Sequence, residues 1–360
     1  MHTALTCTLV ALGLLASGAS HAEPAATQSE QRSVGAFSAI ELHGPWDVTI
    51  DARAPAGLRL NGERARLDEV ETVVRGDTLV VRSRNGKGWH FSFGKSREPV
   101  TIRIGAPRLT ALAMSGSGDV VLDGVDAQRF SVALSGPGDL RAAGAVRELR
   151  LEVSGSGDAD LVRLRAGKVD LAMSGPGDVR LANIDGSLDA RMEGSGDLEA
   201  DGLRLERLDA RLAGPGDMQL RGSSREVRAE LHGSGDFNAC DLAAGRVTTR
   251  QHGPGDACVG GAITQLDAAI DGSGDLAALA LNAAEATLRL NGPGDATLGG
   301  KVGALTARVT GSGALDGRRL DAGRADVVVT GPGSANVRVN DGGGTRLLLV
   351  ERNRRSETAD

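Results

Sequence analysis

The chain has 360 residues, of which 40% are hydrophobic but only 2% aromatic, and it contains no tyrosine. Glycine is abundant at 52 copies while proline is not, and the glycines fall in a fixed register, which excludes disorder and collagen. The net charge of −6 is modest and both signs are interspersed, so the composition does not favour a nucleic-acid partner. We expect a repeat protein whose core consists of Leu, Val and Ala.

Residues 1–22 have the composition of a signal peptide. They contain an apolar stretch at residues 4–16, and small residues occupy the positions before Ala22 that a signal peptidase reads. We expect cleavage after Ala22, which removes Cys7 and leaves residues 23–33 as a linker. No later segment is long and apolar enough for a transmembrane helix. The predicted location is the periplasm, the cell surface or the medium.

Residues 34–108 keep the alternation of β-strands but lack a regular motif. The stretch from His43 to Val48 reads as a worn form of a corner that recurs later in the chain, with Trp46 in the place of a glycine. A solenoid needs such an atypical unit to cover the core and the open strand edge at its end. This segment is therefore predicted to be a β cap.

A glycine-rich stretch inside this segment concentrates aromatic and basic side chains. The binding candidates are Trp89, Phe91, Phe93, Lys87, Lys95 and Arg97. Aromatic rings beside cations are typical of sites that bind a partner or a sugar. Alternatively, the three rings pack on the end of the solenoid as part of the cap, and their alternation on one strand face favours this second interpretation.

Residues 109–340 repeat the tetrapeptide Gly-Ser-Gly-Asp or Gly-Pro-Gly-Asp, which we call the corner, at intervals of alternately 20 and 19 residues. Ser and Pro alternate in step, so the full unit has 39 residues and contains two half-repeats. Two worn corners begin at Gly311 and Gly331, and residues 341–360 form a polar tail. The first glycine and the aspartate of the intact corners are Gly116, Asp119, Gly136, Asp139, Gly155, Asp158, Gly175, Asp178, Gly194, Asp197, Gly214, Asp217, Gly233, Asp236, Gly253, Asp256, Gly272, Asp275, Gly292 and Asp295.

This pattern predicts an all-β solenoid. Apolar residues stand six, four and two positions ahead of each corner, as in Leu149, Leu151 and Val153, and a period of two indicates a strand. A second short strand follows each aspartate, and the glycines supply the backbone freedom of the corner between the strands. Repeats of this length bury their apolar faces against neighbouring repeats. One coil corresponds either to a half-repeat or to the whole 39-residue unit, and we favour the shorter coil.

The aspartate of each corner has two interpretations. Its carboxylate can cap backbone N–H groups that the turn would otherwise leave unpaired. Alternatively, carboxylates stacked one rung apart repel each other and recruit Ca²⁺ to neutralise them. The period differs from that of the nonapeptide repeats that bind calcium, so capping is the working hypothesis and no cofactor is required.

The position just before each corner faces outward and changes in character along the chain. With the shorter coil, His232, His252 and Asp271 fall on consecutive rungs. Two imidazoles and a carboxylate about 4.8 Å apart could hold a divalent transition metal. The alternative is a polar ladder that only hydrates the surface of the sheet.

Two cysteines remain in the mature chain. Cys240 lies four residues past its corner aspartate and Cys258 only two, so the two are displaced by about 7 Å along a strand. An oxidising compartment would permit a disulfide. The displacement and the rung spacing together bring the Cα separation to the disulfide limit, so free thiols are favoured over a bridge.

The repeated corners resemble those of the GIN-domain family of auto-transporter adhesin heads. The stretches FSAIELHGPWDVTIDA (Phe37–Ala52) and VRGDTLVVRS (Val74–Ser83) extend the resemblance over residues 34–340. It implies a right-handed parallel β-helix similar to the pectin-lyase architecture, exported from the cytoplasm and used for adhesion. It carries over no catalytic residues, and only the corner residues transfer, with a structural role.

These observations together predict an exported, non-enzymatic β-helix that presents an extended surface to an envelope component or glycan. The identity of that partner is open. One alternative is a carbohydrate-active lyase or hydrolase of the β-helix type, although no acidic side chain stands out from the repeated ones. Another is a passive structural protein of the cell envelope.

Overall fold

The computed structural model describes residues 27–84, 100–340 and 344–351. Within these residues the fold is all-β apart from one short helix, α1 (Arg64–Leu67), and the strands stack as parallel coils in a β-solenoid of about 11 turns. No helix in this part of the chain is long and apolar enough to cross a membrane. The predicted fold class is therefore confirmed.

Eight strands lie at the N-terminal end. They are β1 (Gln28–Arg32), β2 (Ala39–His43), β3 (Asp47–Asp51), β4 (Gly57–Gly62), β5 (Val70–Arg75), β6 (Thr78–Ser83), β7 (Thr101–Gly105) and β8 (Ala111–Met114). Strand β4 pairs antiparallel with both β1 and β7, and β5 pairs antiparallel with β6. Strands β7 and β6 pair in parallel with β3 and β2, which flank the worn corner. The antiparallel strands therefore form the outer edge of the stack at this end, where a cap is needed.

The segment predicted as a linker, residues 23–33, differs from that expectation because residues 28–32 form β1. Arg32 links β1 to the end of α1 and the start of β5. Its guanidinium donates hydrogen bonds to the carbonyl oxygens of Val70 at 2.5 Å and Leu67 at 2.8 Å. Backbone pairing with β4 and these side-chain bonds together hold β1 in the sheet.

Fourteen parallel strands build the solenoid. They are β9 (Val120–Leu134), β10 (Leu140–Val153), β11 (Ala159–Met173), β12 (Val179–Ala182), β13 (Ile184–Met192), β14 (Leu198–Leu212), β15 (Met218–Leu231), β16 (Phe237–Gln251), β17 (Ala257–Gly260), β18 (Ile263–Ile270), β19 (Leu276–Asn291), β20 (Ala296–Thr310), β21 (Ala314–Thr330) and β22 (Ser334–Asn340). Leu140 pairs with Val120 below it and with Ala159 above it, offsets of 20 and 19 residues. One half-repeat is therefore one coil, which confirms the shorter of the two predicted coils.

Most coils contain one long bent strand where the sequence predicts two short ones. The bend after the corner lies near Gly124 in β9, whose φ of 77° is in the left-handed region. In β10 the pairing register shifts between Ala142 and Gly144 at the same place. Hydrogen bonding to the neighbouring coils resumes past each bend, so the strand continues through it.

The core runs through the middle of the stack. In β10 the buried side chains are Leu140, Ala142, Val146, Leu149, Leu151 and Val153. The last three are the positions predicted from the period of two. Each buried Leu or Val contributes about 1.5–3 kcal/mol relative to exposure, and every coil buries its set against the coils on either side.

The C-terminal end also differs from the sequence prediction. Strand β23 (Thr345–Glu351) lies inside the segment predicted as a polar tail and pairs antiparallel with β22. Val350 is buried against the core, while Leu347 and Leu349 face solvent. This strand pairs with the final parallel strand of the stack as the antiparallel strands do at the other end.

Candidate functional site

The corner aspartates form a continuous hydrogen-bonded series that we call the aspartate ladder. Its members are Asp47, Asp119, Asp139, Asp158, Asp178, Asp197, Asp217, Asp236, Asp256, Asp275 and Asp295. The Oδ1 atom of each accepts a hydrogen bond from the backbone N–H of the corresponding residue in the next coil, at 2.7–3.3 Å. The carboxylates therefore cap backbone groups, but the capped group lies in the neighbouring coil instead of in the same turn.

The aspartate ladder begins and ends at worn corners. Asp47 belongs to the corner that contains Trp46, and it accepts a bond from the N–H of Asp119 at 3.3 Å. At the other end, Asp295 accepts a bond from the N–H of Ala314, which has no carboxylate to continue the series. The interpretation of His43–Val48 as a worn corner is thus confirmed by its place in the stack.

Replacing Asp178 by alanine should lower the free energy of unfolding by about 1–2 kcal/mol, because the N–H of Asp197 loses its acceptor. Asp178→Asn should cost less than half as much, since the amide oxygen can accept the same bond and like-charge repulsion is relieved. Urea denaturation of both variants measures the difference. If asparagine were as damaging as alanine, and a chelator destabilised the native chain equally, the ladder would hold Ca²⁺ instead.

The two histidines and the aspartate predicted as metal ligands lie on consecutive coils. The imidazole rings of His232 and His252 are stacked, with centroids 4.9 Å apart and planes 14° from parallel. His252 Nδ1 lies 3.6 Å from Asp271 Oδ2, and Asn291 donates a hydrogen bond to Asp271 Oδ1 at 2.7 Å. Nitrogen lone pairs lie in the ring planes, so stacked rings do not converge on one ion. Among the described residues no group of three or more His, Cys, Asp or Glu side chains is arranged to hold a metal.

The preference for free thiols is wrong, because Cys240 and Cys258 form a disulfide with a Cα separation of 5.1 Å. Cys258 pairs with Asn238, as the sequence spacing predicts. However, the register then jumps, so that the four steps from Ala239 to Ala243 oppose a single step of β17. Cys240 lies in this bend, where its backbone carbonyl lies against Gly260. The displacement calculated for a straight strand therefore does not apply.

A groove with a volume of about 1040 Å³ crosses four successive coils, from the segment before β8 to β9, β10 and β11. We call it the basic groove. It is lined by residues 107–110, 126–131 and 147–150 together with Lys168 and Asp170. The buried side chains of Leu109, Phe130 and Leu149 form its floor. Its volume is in the range of sites that bind small ligands or a few units of a polymer.

The charges at the rim of the basic groove are only partly paired. Arg129 binds Glu148 at 3.1 Å, and Asp170 binds Arg191 of the next coil at 3.0 Å. The side chains of Arg108, Arg147, Arg150 and Lys168 have no hydrogen bond or ion pair with any residue that the structure describes, and all four residues are exposed. The rim therefore presents four free cations to a ligand.

The sequence analysis missed this groove, although its signal is present in the chain. Gln128 and Arg147 are 19 residues apart, the length of one coil, and lie side by side on β9 and β10, while Arg108, 20 residues before Gln128, lies in the turn that precedes β8. Tabulating outward residues coil by coil would have shown the two arginines together. That tabulation requires the coil length, which the sequence left open between two values.

Five carboxyl groups among the described residues have a pKa below its ordinary value. They belong to Glu30, Asp51, Glu71, Asp185 and Asp316. A hydrogen bond from Arg204 lowers the pKa of Asp185, and the side chain of Arg318 lowers the pKa of Asp316 to about 2. A general acid in glycoside cleavage requires the opposite shift, so these groups suit ion pairing at the surface.

The aromatic and basic candidates predicted from the sequence, Trp89, Phe91, Phe93, Lys87, Lys95 and Arg97, lie outside the described residues. The chain on either side of them belongs to the cap. Ser83 pairs with Val70 at the end of β6, and Val100 is buried against Gly62. The binding role of these six residues stays a prediction.

This chain is similar to a family of adhesin domains and to several solved structures. The model of a family described as "Putative auto-transporter adhesin, head GIN domain" matches residues 36–202, 182–279 and 263–342. A "putative adhesin" from Bacteroides fragilis is 16% identical over 85% of this chain and 96% of its own, with a TM-score of 0.29. A "putative adhesin" from Parabacteroides distasonis is also 16% identical, over 84% and 97%, with a TM-score of 0.38. A "Putative lipid binding protein" from the latter organism is 17% identical over 86% and 95%, with a TM-score of 0.31. No curated protein matches the chain.

Proposed function

Since the chain belongs to the GIN-domain family of auto-transporter adhesin heads, we propose that it is an exported, non-enzymatic binding protein of the adhesin type. Its solenoid presents an extended surface to a component of the cell envelope or to a glycan. The corner residues and the aspartate ladder build the scaffold, and the side chains that change from coil to coil supply the binding surface.

The basic groove is the observation that carries this proposal. It combines a buried apolar floor with four unpaired cations, and it spans four coils along the axis of the solenoid. A long, open surface of this kind fits a polymer better than an enclosed small molecule.

Two further features support export. The apolar residues 4–16 and the small residues before Ala22 have the pattern of a cleaved leader. The Cys240–Cys258 disulfide is the kind of bond that forms and persists in an oxidising compartment. We place the mature chain in the periplasm, at the cell surface or in the medium.

The test is binding of the protein, exported behind its own leader and purified, to a glycan array and to isolated envelope fractions, with calcium or with a chelator. The variant Trp89→Ala/Phe91→Ala/Phe93→Ala is compared with Arg108→Ala/Arg147→Ala. We expect selective, saturable binding that at least one of the two variants loses. An absence of binding to every fraction would leave a passive structural role, and depolymerisation of any polysaccharide would identify an enzyme.

A further inference from the structure

We propose that the basic groove binds an acidic polysaccharide whose carboxylates lie along the solenoid axis. This inference rests on the proposed binding function and specifies the chemical class of its ligand. The guanidinium groups of Arg108 and Arg147 would hold two carboxylates of one chain. Arg150 and Lys168 would add contacts at the sides.

Arg108, Gln128 and Arg147 line the groove from three successive coils. Gln128 makes no hydrogen bond with either arginine; it lies beside Arg147 on neighbouring strands, and Arg108 lies in the turn that precedes β8. The strands β8 and β10 are two rungs apart, about 9.6 Å at a strand spacing of about 4.8 Å. An amide between two guanidinium groups can bond a sugar hydroxyl, while each guanidinium binds a carboxylate through two parallel hydrogen bonds.

The remaining cations widen the site across the coils. Arg150 lies three residues beyond Arg147 on the same strand, and Lys168 lies on the next coil opposite Glu148. Because Glu148 is paired with Arg129, it does not neutralise Lys168 at bonding distance. The four free cations thus spread over three coils, which suits a ligand with several separated charges.

The acidic side chains of the groove argue against a dense polyanion. Asp126 lines the groove and has no ion pair with a described residue, so it would repel any ligand that carries charge at every step. A nucleic-acid duplex carries one negative charge per about 1.7 Å of its axis and could not avoid Asp126. A polysaccharide with carboxylates separated by neutral positions can place them on the arginines alone.

The floor of the groove argues against an anionic lipid. Leu109, Phe130 and Leu149 are only 4%, 1% and 3% exposed, because they pack into the continuous core of the solenoid. An acyl chain would need to displace them, at the cost of breaking a close-packed interior. The floor therefore exposes almost no apolar surface and offers no channel for a lipid tail.

The experiment measures affinity by fluorescence anisotropy with labelled oligosaccharides. The probes are hyaluronan, with a carboxylate on every second unit, oligogalacturonate, with one on every unit, and neutral dextran. Arg108→Ala/Arg147→Ala should bind the acidic probes at least about tenfold more weakly, a loss of about 1.4 kcal/mol. Arg246→Ala/Arg308→Ala removes two exposed, unpaired arginines from distant coils and is the matched control, with affinity close to that of the native chain.

The conservative variant Arg108→Lys/Arg147→Lys distinguishes the paired hydrogen bonds of the guanidinium groups from the attraction of their positive charges. It keeps both charges but loses the paired hydrogen bonds of guanidinium, so it should recover only part of the affinity. Binding should also weaken as salt is raised, since the rim is exposed. Thermal melts of all variants verify that the fold is retained, which we expect because the substituted side chains are exposed and make no hydrogen bond or ion pair with a described residue.

Each outcome separates this inference from the proposed function. Binding of the acidic probes that is lost in the groove variant and kept in the control supports the inference. Equal losses in both variants, binding of dextran alone, or binding only to a DNA duplex or to phosphatidylserine vesicles would overturn it. If envelope fractions are bound while the groove variant is unaffected, the proposed function stands and the groove assignment fails. If nothing is bound, both fail.

Discussion

Replacing Gly196 by alanine should lower the free energy of unfolding by about 3 kcal/mol or more, or prevent folding altogether. A Cβ atom at this corner would overlap the carbonyl oxygen of Gly177 in the coil below and lie 2.7 Å from its carbonyl carbon. The clash is with backbone, and the N–H of Gly196 already donates to the carbonyl oxygen of Gly175 at 3.3 Å. Relief therefore requires two coils to separate, which is more costly than the usual 1–3 kcal/mol of overpacking.

Urea denaturation measures this effect, and Gly35→Ala is the matched control. A Cβ atom at Gly35 would have its nearest neighbour at 4.0 Å, a side-chain carbon of Val74. Alanine there should be neutral or slightly stabilising, since it lowers the conformational entropy of the unfolded chain. Similar stabilities for Gly196→Ala and the native chain would mean that the coils are not stacked as closely as the structure has them.

Reducing the Cys240–Cys258 disulfide should lower the free energy of unfolding by about 3 kcal/mol, because the bond closes a loop between residues 18 apart and restricts the unfolded chain. The double variant Cys240→Ser/Cys258→Ser should show the same loss without reductant. Denaturation with and without dithiothreitol measures it, and the variant itself must not respond to dithiothreitol.

A second readout tests whether the bond is present. Thiol titration of the exported native chain under denaturing conditions should find no free thiol from these two residues before reduction and two afterwards. Two free thiols before reduction would contradict the disulfide and restore the prediction from the sequence spacing. Unequal losses in the reduced chain and the serine variant would indicate that the serines perturb the bend of β16.

The sequence predicted the scaffold well because its determinants are local. The alternation of Leu149, Leu151 and Val153 identifies a strand and its inward face, and the structure buries all three. The corner glycines predict close approach between coils, and Gly196 lies against the backbone of Gly177. Capping by the aspartates was also predicted, but the sequence placed the capped N–H in the same turn, because only stacking shows that the next coil supplies it.

The errors have two causes, and the first is that spacing along the chain does not measure distance across a bend. Cys240 and Cys258 are displaced by two residues in the alignment of corners, yet the bend of β16 brings their Cα atoms to 5.1 Å. The strands β1 and β23 were missed because a strand that pairs only once, at the edge of a sheet, needs little apolar alternation.

The amino-acid sequence by itself determined that this protein is a solenoid, where its corners fall and which side chains face the core, since a 19- or 20-residue repeat with period-2 alternation has few other ways to bury its apolar residues. Only the tertiary structure decided which outward side chains share a surface. Arg108, Arg147, Arg150 and Lys168 form one rim because coil length, bend position and register act together. A change of register between coils would move Arg108 and Lys168 away from the two arginines of β10.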